Sequence, residues 1–552
     1  MDPAIVACVV EKHLKLIGLE EDAERAEQQE FLGSLSKQQL QQRGVAIYGL
    51  RITEQRTGLV GKTIVELGTG SNLPAHVIKT GDVVQIDRPS KTEVEAVSGI
   101  VNRLTENFIS VAFKEPPNIP DDGLRIVKLP NDVAFQRMRY AMTNLGNSKQ
   151  SRLLDVLFGP VKGDGKQFPD PDTTKARWFN PHLNESQKEA VISALNASEL
   201  KLIHGPPGTG KTETLIEIIK QLVTPRIFNT STRKRVLVCG PSNLSVDNIV
   251  ERLGQIDMVR VGHPARVLES VIPHTLDSRL ATGDAAALVK DIRLEIDTAL
   301  KQLSKSGAKR REIYAELKEL RKELYSREKG AIDNLISGSS VVLSTLNMAG
   351  SKLLKNRRFD VVIIDEAGQA LEAECWLAML LAEKVILAGD HCQLPPTVSS
   401  PSAERGGLAT TLFERLVSRN PEAMSLLNTQ YRMNHLIMDW SSTEFYHGKL
   451  IADPSVATHS LFTEHNESVL RLIDTVGFDY LEAQVDEDQS KYNEGEAKLV
   501  VEHLLKLVTG GVSPKSIAVI TPYNAQVGLI ETLVSECHQV RGVEIGSGIS
   551  QS

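Results

Sequence analysis

The chain has 552 residues, of which 41% are hydrophobic and 24% charged. That length is enough for about three or four domains with real cores. The net charge of −7 excludes a uniformly basic nucleic-acid binder and leaves room only for a local groove of that kind.

Residues 1–44 are rich in Glu, Gln, Lys and Leu and read as two or so helices. Ile5, Val9 and Leu16 suggest a face packed on another element. Residues 45–130 change character. Short β-branched runs at 46–48, 63–65, 83–86 and 108–111 alternate with turn residues at 69–72, 80–82 and 121–123. That spacing predicts a small accessory β-barrel, equally suited to binding nucleic acid or to bracing a neighbour. A helical pattern follows at 133–158, and Pro and Gly mark a linker at 159–172.

From residue 173 to 398 strand, turn and helix patterns repeat. The continuous apolar runs at 202–203, 236–239, 341–343, 361–364 and 385–388 predict a parallel sheet buried on both faces, hence an α/β fold. The charged segment 284–334 interrupts it and predicts two long antiparallel helices, broken at Gly307, within an insertion spanning 281–336. Such an arm is either solvated or a clamp on a ligand. A second α/β set occupies 399–552, with strands at 472–473 and 517–520 and a helix at 494–507. The cysteines Cys8, Cys239, Cys375, Cys392 and Cys537 lack CxxC spacing, which argues against disulfides or zinc. No apolar run suits a bilayer, and the N-terminus lacks the basic start of a signal peptide. Lys309, Arg310 and Arg311 suit either a nuclear address or a solvated helix face.

The chemistry is concentrated around residues 201–217. An apolar strand feeds Gly205, Pro206, Pro207, Gly208, Thr209 and Gly210, and Lys211 and Thr212 then open a helix. This is a phosphate-binding loop in its required strand-to-helix context. Its backbone N–H groups and the helix end form an anion cradle. Lys211 reaches the β- and γ-phosphates, and the Thr212 hydroxyl ligates Mg²⁺. Asp365 and Glu366 end the apolar run 361–364, on the ligand edge of such a sheet. Asp365 is placed to hold the same metal, and Glu366 to orient or deprotonate a water. Gln393 suits a γ-phosphate contact or an ordinary loop amide. Gln187 suits the adenine edge or a helix surface. Arg432 suits a developing phosphate charge or a structural salt bridge.

The segments LNESQKEAV, GPPGTGKTET, CGPSNLSVDNIVERL, DEAGQALEAECW, LAGDHCQLPPTV and LNTQYRMNHLIMDWSS occur in this order. Together they resemble the up-frameshift-like superfamily 1 (subgroup B) helicases, of the immunoglobulin-mu-binding-protein and fungal DNA helicase A type. The resemblance implies two RecA-like domains with ATP between them, carrying the barrel and the helical insertion as grips on single-stranded DNA or RNA. It implies Gln187 and Tyr431 at adenine, and Lys211, Thr212, Glu213, Asp365, Glu366, Gln393 and Arg432 around the phosphates and Mg²⁺. It places Pro241, Ser242, Asn243, Ser344 and Thr345 on the nucleic-acid backbone. The activity implied is ATP-driven 5′-to-3′ translocation and unwinding, in the nucleus, the cytoplasm or both. In one respect the sequence departs from the pattern. The family's Gly-Phe-Gln-Gly-rich motif and its last, arginine-bearing motif do not occur before Ser552. An alternative expectation is therefore a truncated fragment that binds ATP and nucleic acid and turns over poorly, with an exposed edge strand.

Overall fold

A computed structural model describes residues 3–547 apart from 35–39, 42–43, 58–62, 75, 77, 89–96, 114–116, 118, 130–131, 149–150, 160–176, 225–232, 283–285, 304–309, 462–468 and 485–489. The expected linker, beyond Gly159, and the break at Gly307 lie outside those residues. The chain divides into two compact units, residues 1–205 with 211–427, and residues 206–210 with 428–552.

The first unit opens with helix Pro3–Ser34, and Leu40 and Gln41 are helical again. The buried face of Pro3–Ser34 is Val6, His13, Leu16 and Ile17, whereas Ile5 is 42% exposed. Positions 6, 13 and 17 recur at near-whole turns of a 3.6-residue period, and Ile5 sits about 100° off that stripe. The helix packs on helix Asp132–Gly146. The buried Glu20 carboxylate accepts the N–H groups of Ser399 and Ser400 at 2.6 and 2.9 Å, tying the helix to a distant loop.

Six strands follow: β1 (Ala46–Thr57), β2 (Thr63–Gly68), β3 (Val83–Asp87), β4 (Val97–Leu104), β5 (Phe108–Phe113) and β6 (Leu124–Lys128). They close into a barrel in the order β1-β2-β5-β4-β3-β6. Alternation sends Ile47, Val65, Leu67, Val84, Ile86, Ile109 and Val111 inward. In β4 that alternation is diluted by Ser98, Gly99, Asn102 and Arg103, so the strand went unseen. The barrel docks through His263, whose Nε2 lies 2.7 Å from Asn102 Oδ1, and through Arg266, which donates from Nε to the Thr80 carbonyl. Gly81, with φ of 82°, leaves the space that the Arg266 guanidinium fills.

The α/β part is a sheet of β7 (Leu200–His204), β8 (Val236–Gly240), β9 (Met258–Val261), β10 (Val341–Thr345), β11 (Val361–Ile364), β12 (Lys384–Gly389) and β13 (Met424–Leu426). Its order is β13-β7-β12-β11-β8-β10-β9, and every pairing is parallel. Leu202, Leu237, Val342, Ile364 and Leu387 face one core, and Ile203, Val238, Leu343, Ile363 and Ala388 the other. Two-sided burial is why these strands are continuously apolar. The edge strands β9 and β13 were not read from the sequence, since Arg260 and Ser425 break their runs. Because β13 pairs with β7, the first unit continues past the expected division at 398/399 to Leu427. Helices Ala286–Leu303 and Arg310–Gly338 pack through Ile292, Ile296, Leu317 and Leu324, with Arg293 bridging to Glu328.

Within β9, Arg260 is fully buried. It donates to Asp247 Oδ1 at 2.8 Å, to the Val261 carbonyl at 2.9 Å and to Asn243 Oδ1 at 2.9 Å. Arg260→Met strands the Asp247 carboxylate, itself 1% exposed. The variant is expected to lose about 3–5 kcal/mol of unfolding free energy, read as a lower urea midpoint. An unchanged midpoint would contradict this account.

The second unit holds β14 (Thr429–Gln430) beside β15 (Ile451–Ala452), β16 (Ala483–Gln484) beside β17 (Lys491–Tyr492), and β18 (Ala518–Thr521) parallel to β19 (Glu544–Ser547). Helix Glu494–Thr509 agrees with expectation, as does β18. The strand expected at 472–473 is absent. Leu472 is 92% exposed, and an isolated apolar pair with no ladder partner among the described residues cannot hold extended structure. Among the described residues no helix is long and apolar enough to cross a membrane.

Candidate nucleotide and nucleic-acid sites

The loop 205–210 joins β7 to helix Lys211–Val223. The Gly205 N–H donates to the Gly389 carbonyl at 3.1 Å, so the start of the loop is tied to the end of β12. Thr209 closes the turn, its Oγ1 donating to the Pro206 carbonyl at 2.7 Å. Gly208 has φ of 78°. A Cβ there would lie 2.6 Å from the Cβ of Arg432, and the Tyr431 N–H donates to its carbonyl at 2.8 Å. Only glycine permits both the left-handed backbone and that approach. The side chains of Tyr431 and Arg432 are exposed. Their backbone is fixed by Gln430, fully buried, which accepts from the N–H groups of Arg432 and Met433 at 2.8 and 2.9 Å.

Lys211 sits beside the two acids that end β11. Its Nζ lies 2.6 Å from Glu366 Oε1 and 3.9 Å from Asp365 Oδ1. Motifs more than 150 positions apart in the chain thus meet, because β11 and β7 flank β12 in one sheet. Glu366 has φ of 53°, a left-handed conformation that L residues avoid and that is often retained at reactive sites. Asp365 is 3% exposed, and its Oδ1 accepts the Glu366 N–H at 2.9 Å. Burial pushes its pKa up to about 6, against the attraction of Lys211 and with the repulsion of Glu366.

The sign of the linkage follows. The folded carboxyl holds a proton between its ordinary value of 3.8 and about 6 that the unfolded one has lost. Its contribution to stability is therefore largest at low pH and declines as pH rises through that window. A divalent cation must displace the same proton. Mn²⁺ affinity at this site is expected to weaken as pH falls below about 6, and Asp365→Asn to remove that pH dependence; pH-independent binding in the parent protein would oppose it.

Thr212 lies in the first turn of the helix after the loop. Glu213, expected near the nucleotide, has its carboxylate engaged by Arg252 at 3.0 Å. Gln187 is buried and completes a capping box: its Oε1 accepts the Asn184 N–H at 2.9 Å while its own N–H donates to Asn184 Oδ1. Gln393 is exposed, and its Nε2 donates to Asp390 Oδ2 at 2.8 Å. Glu217 was not singled out from the sequence. Its two oxygens accept the N–H groups of Phe179 and Asn180 at 3.0 and 2.9 Å, anchoring the segment before Gln187. An acid within an otherwise apolar helical stretch was the available signal.

Of the expected nucleic-acid contacts, Pro241 ends the loop after β8. Ser242 caps helix Asn243–Leu253, and Asn243 holds Arg260. Thr345 caps Leu346–Ala349. Ser344 requires correction. It is fully buried within β10, its Oγ 3.6 Å from Cys239 Sγ, and so cannot reach a nucleic-acid backbone. The expectation came from the resemblance alone; β10 runs through Ser344 to Thr345.

His204, Asp390, His391 and Cys392 bring one potential ligand atom each within 4.8 Å of one another. Cysteine spacing could not reveal this cluster, since His204 comes from a different strand.

Residues 182–401 and 408–548 match AAA domain families, and residues 10–122 match the 1B domain of the SMUBP-2/HCS1 helicases. The chain is 40% identical to the DNA-binding protein SMUBP-2 of Mus musculus, covering 98% of this chain and 56% of that protein. It is 42% identical to the DNA polymerase alpha-associated DNA helicase A of Schizosaccharomyces pombe, covering 92% and 80%. A regulator of nonsense transcripts 1 homolog of Arabidopsis thaliana is 29% identical over 78% of this chain and 34% of its own length. The chain spans about half the length of the rodent relatives.

Proposed function

Given that this chain belongs to the up-frameshift-like superfamily 1 helicases, with SMUBP-2 and DNA helicase A, we propose that it is an ATP-dependent 5′-to-3′ helicase and a nucleic-acid-stimulated ATPase. The observation that carries this reading is the contact of Lys211 with Glu366 and Asp365 at the mouth of a phosphate-binding loop.

Glu366 neutralises Lys211 through their 2.6 Å ion pair. The β- and γ-phosphates of ATP take over the lysine and free the Glu366 carboxylate to accept a proton from water. Asp365 and Thr212 offer hard oxygen ligands suited to Mg²⁺, and the raised pKa of Asp365 shows that Lys211 alone undercompensates its burial. When bound, Mg²⁺ offsets charge on the phosphate oxygens. Gln393 and Arg432 are assigned to the γ-phosphate, and Gln187 and Tyr431 to adenine. The α/β regions around 173–398 and 399–552 are read as RecA-like domains. The barrel and the paired helices 286–303 and 310–338 are read as grips on a single strand of DNA or RNA, with Ser242, Asn243 and Thr345 near its backbone.

The rival reading, a fragment unable to cycle, is not favoured, because relatives matched over most of this chain are named as helicases. The test is steady-state ATPase with and without single-stranded DNA or RNA, joined to unwinding of 5′- and 3′-tailed duplexes. Stimulated turnover with unwinding of the 5′-tailed duplex is expected. Turnover unresponsive to either nucleic acid would return the chain to the rival reading.

A further inference from the structure

We propose that His204 is a positioning residue for Gln393: acting through the buried carboxylate of Asp390, it fixes which face of the Gln393 amide meets the terminal phosphate. This rests on the reading that Gln393 faces that phosphate.

His204 is the last residue of β7, immediately before Gly205, and is 6% exposed; Asp390 follows β12 and is 2% exposed. His204 Nε2 lies 2.9 Å from Asp390 Oδ1, which also accepts the Cys392 N–H at 3.1 Å. The other oxygen, Oδ2, accepts from Gln393 Nε2 at 2.8 Å. An ionised carboxylate has lone pairs and no proton to give. His204 must therefore carry its hydrogen on Nε2, and Gln393 must turn its amino group, not its carbonyl, toward Asp390. The second Gln393 N–H and its Oε1 are left for the nucleotide side, one to donate to a phosphate oxygen and the other to accept from water. Without Asp390 in place the amide is free to flip and present the wrong atom.

The pair is also braced. The His204 ring lies 4.8 Å from that of His391 and 6.3 Å from Phe413, whose side chain is fully buried. The Gly205 N–H to Gly389 carbonyl bond joins the same two strand ends through the backbone. A shift of the phosphate loop is thereby passed to the loop bearing Gln393 by two parallel links.

The test compares His204→Phe, His204→Gln and Gln393→Ala with the parent chain, with fluorescent-ADP affinity and thermal midpoint as checks on folding. His204→Phe keeps a ring and loses the donor; kcat is expected to fall about tenfold or more with KM for ATP within about twofold. His204→Gln, whose amide reaches Asp390, is expected to recover to within about threefold of the parent. The double variant His204→Phe with Gln393→Ala is expected to be no slower than Gln393→Ala alone, because both act on one link. If His204→Phe does not fold, His204→Asn, whose amide falls short of Asp390, carries the same expectation. An unchanged kcat in His204→Phe, losses that multiply in the double variant, or a stoichiometric metal ion bound by Asp390 would each overturn the proposal. A slow Gln393→Ala with a fast His204→Phe removes the proposal alone. An unimpaired Gln393→Ala removes the reading beneath it as well.

Discussion

Lys211→Ala is expected to abolish nucleic-acid-stimulated ATP turnover, lowering kcat by about 10³-fold or more. Two losses coincide. The phosphates lose a cation that the structure holds 2.6 Å from Glu366 and 3.9 Å from Asp365. Asp365, already pushed up to about 6 by burial, loses the larger of the two interactions that lower it and moves further toward its protonated form. The variant should therefore bind divalent cation poorly as well as turn over slowly. A phosphate-release assay with single-stranded DNA, run beside Mn²⁺ titration, reads both. Turnover within about tenfold of the parent would place the chemistry elsewhere.

Glu366→Gln is expected to separate binding from chemistry. The amide has nearly the volume of the acid and the same tolerance of φ near 53°, so backbone strain is held constant. Loss of the base is expected to lower kcat by about 10²–10⁴-fold. ATP affinity should hold or tighten, because Lys211 is released from its 2.6 Å ion pair and the phosphates no longer compete for it. Fluorescent-nucleotide affinity and single-turnover hydrolysis on the same preparation distinguish this from a folding defect. Equal losses of affinity and rate would remove Glu366 from the proton-transfer role.

Legibility followed the physics of each signal. The phosphate loop, Asp365 and Glu366 were readable because local backbone demands fix them: glycines where φ is positive, acids at the end of a strand. Four barrel strands were readable; β4, interrupted by polar residues, and the five-residue β6 were not. The edge strands β9 and β13 escaped because Arg260 and Ser425 hide the apolar pattern, and their pairing is decided by neighbours far off in sequence. Gln187 was legible as an important amide, but its part in a capping box appears only from the hydrogen bonds. Ser344 was named through the resemblance alone, and the burial of its side chain is visible only in the packed sheet.

The sequence by itself determined the fold class, most strands of the parallel sheet and the glycine-rich loop that follows β7. Each is a short-range property, encoded in periodicity and turn chemistry within a few residues. Tertiary structure alone decided which charges meet. The pairing of Lys211 with Glu366, of Arg260 with Asp247 and of His204 with Asp390 arises where β7, β11 and β12, or a helix and the strand beside it, come together. Burial then raises the pKa of Asp365 and fixes the orientation of the Gln393 amide on Asp390, which no local pattern in the chain encodes.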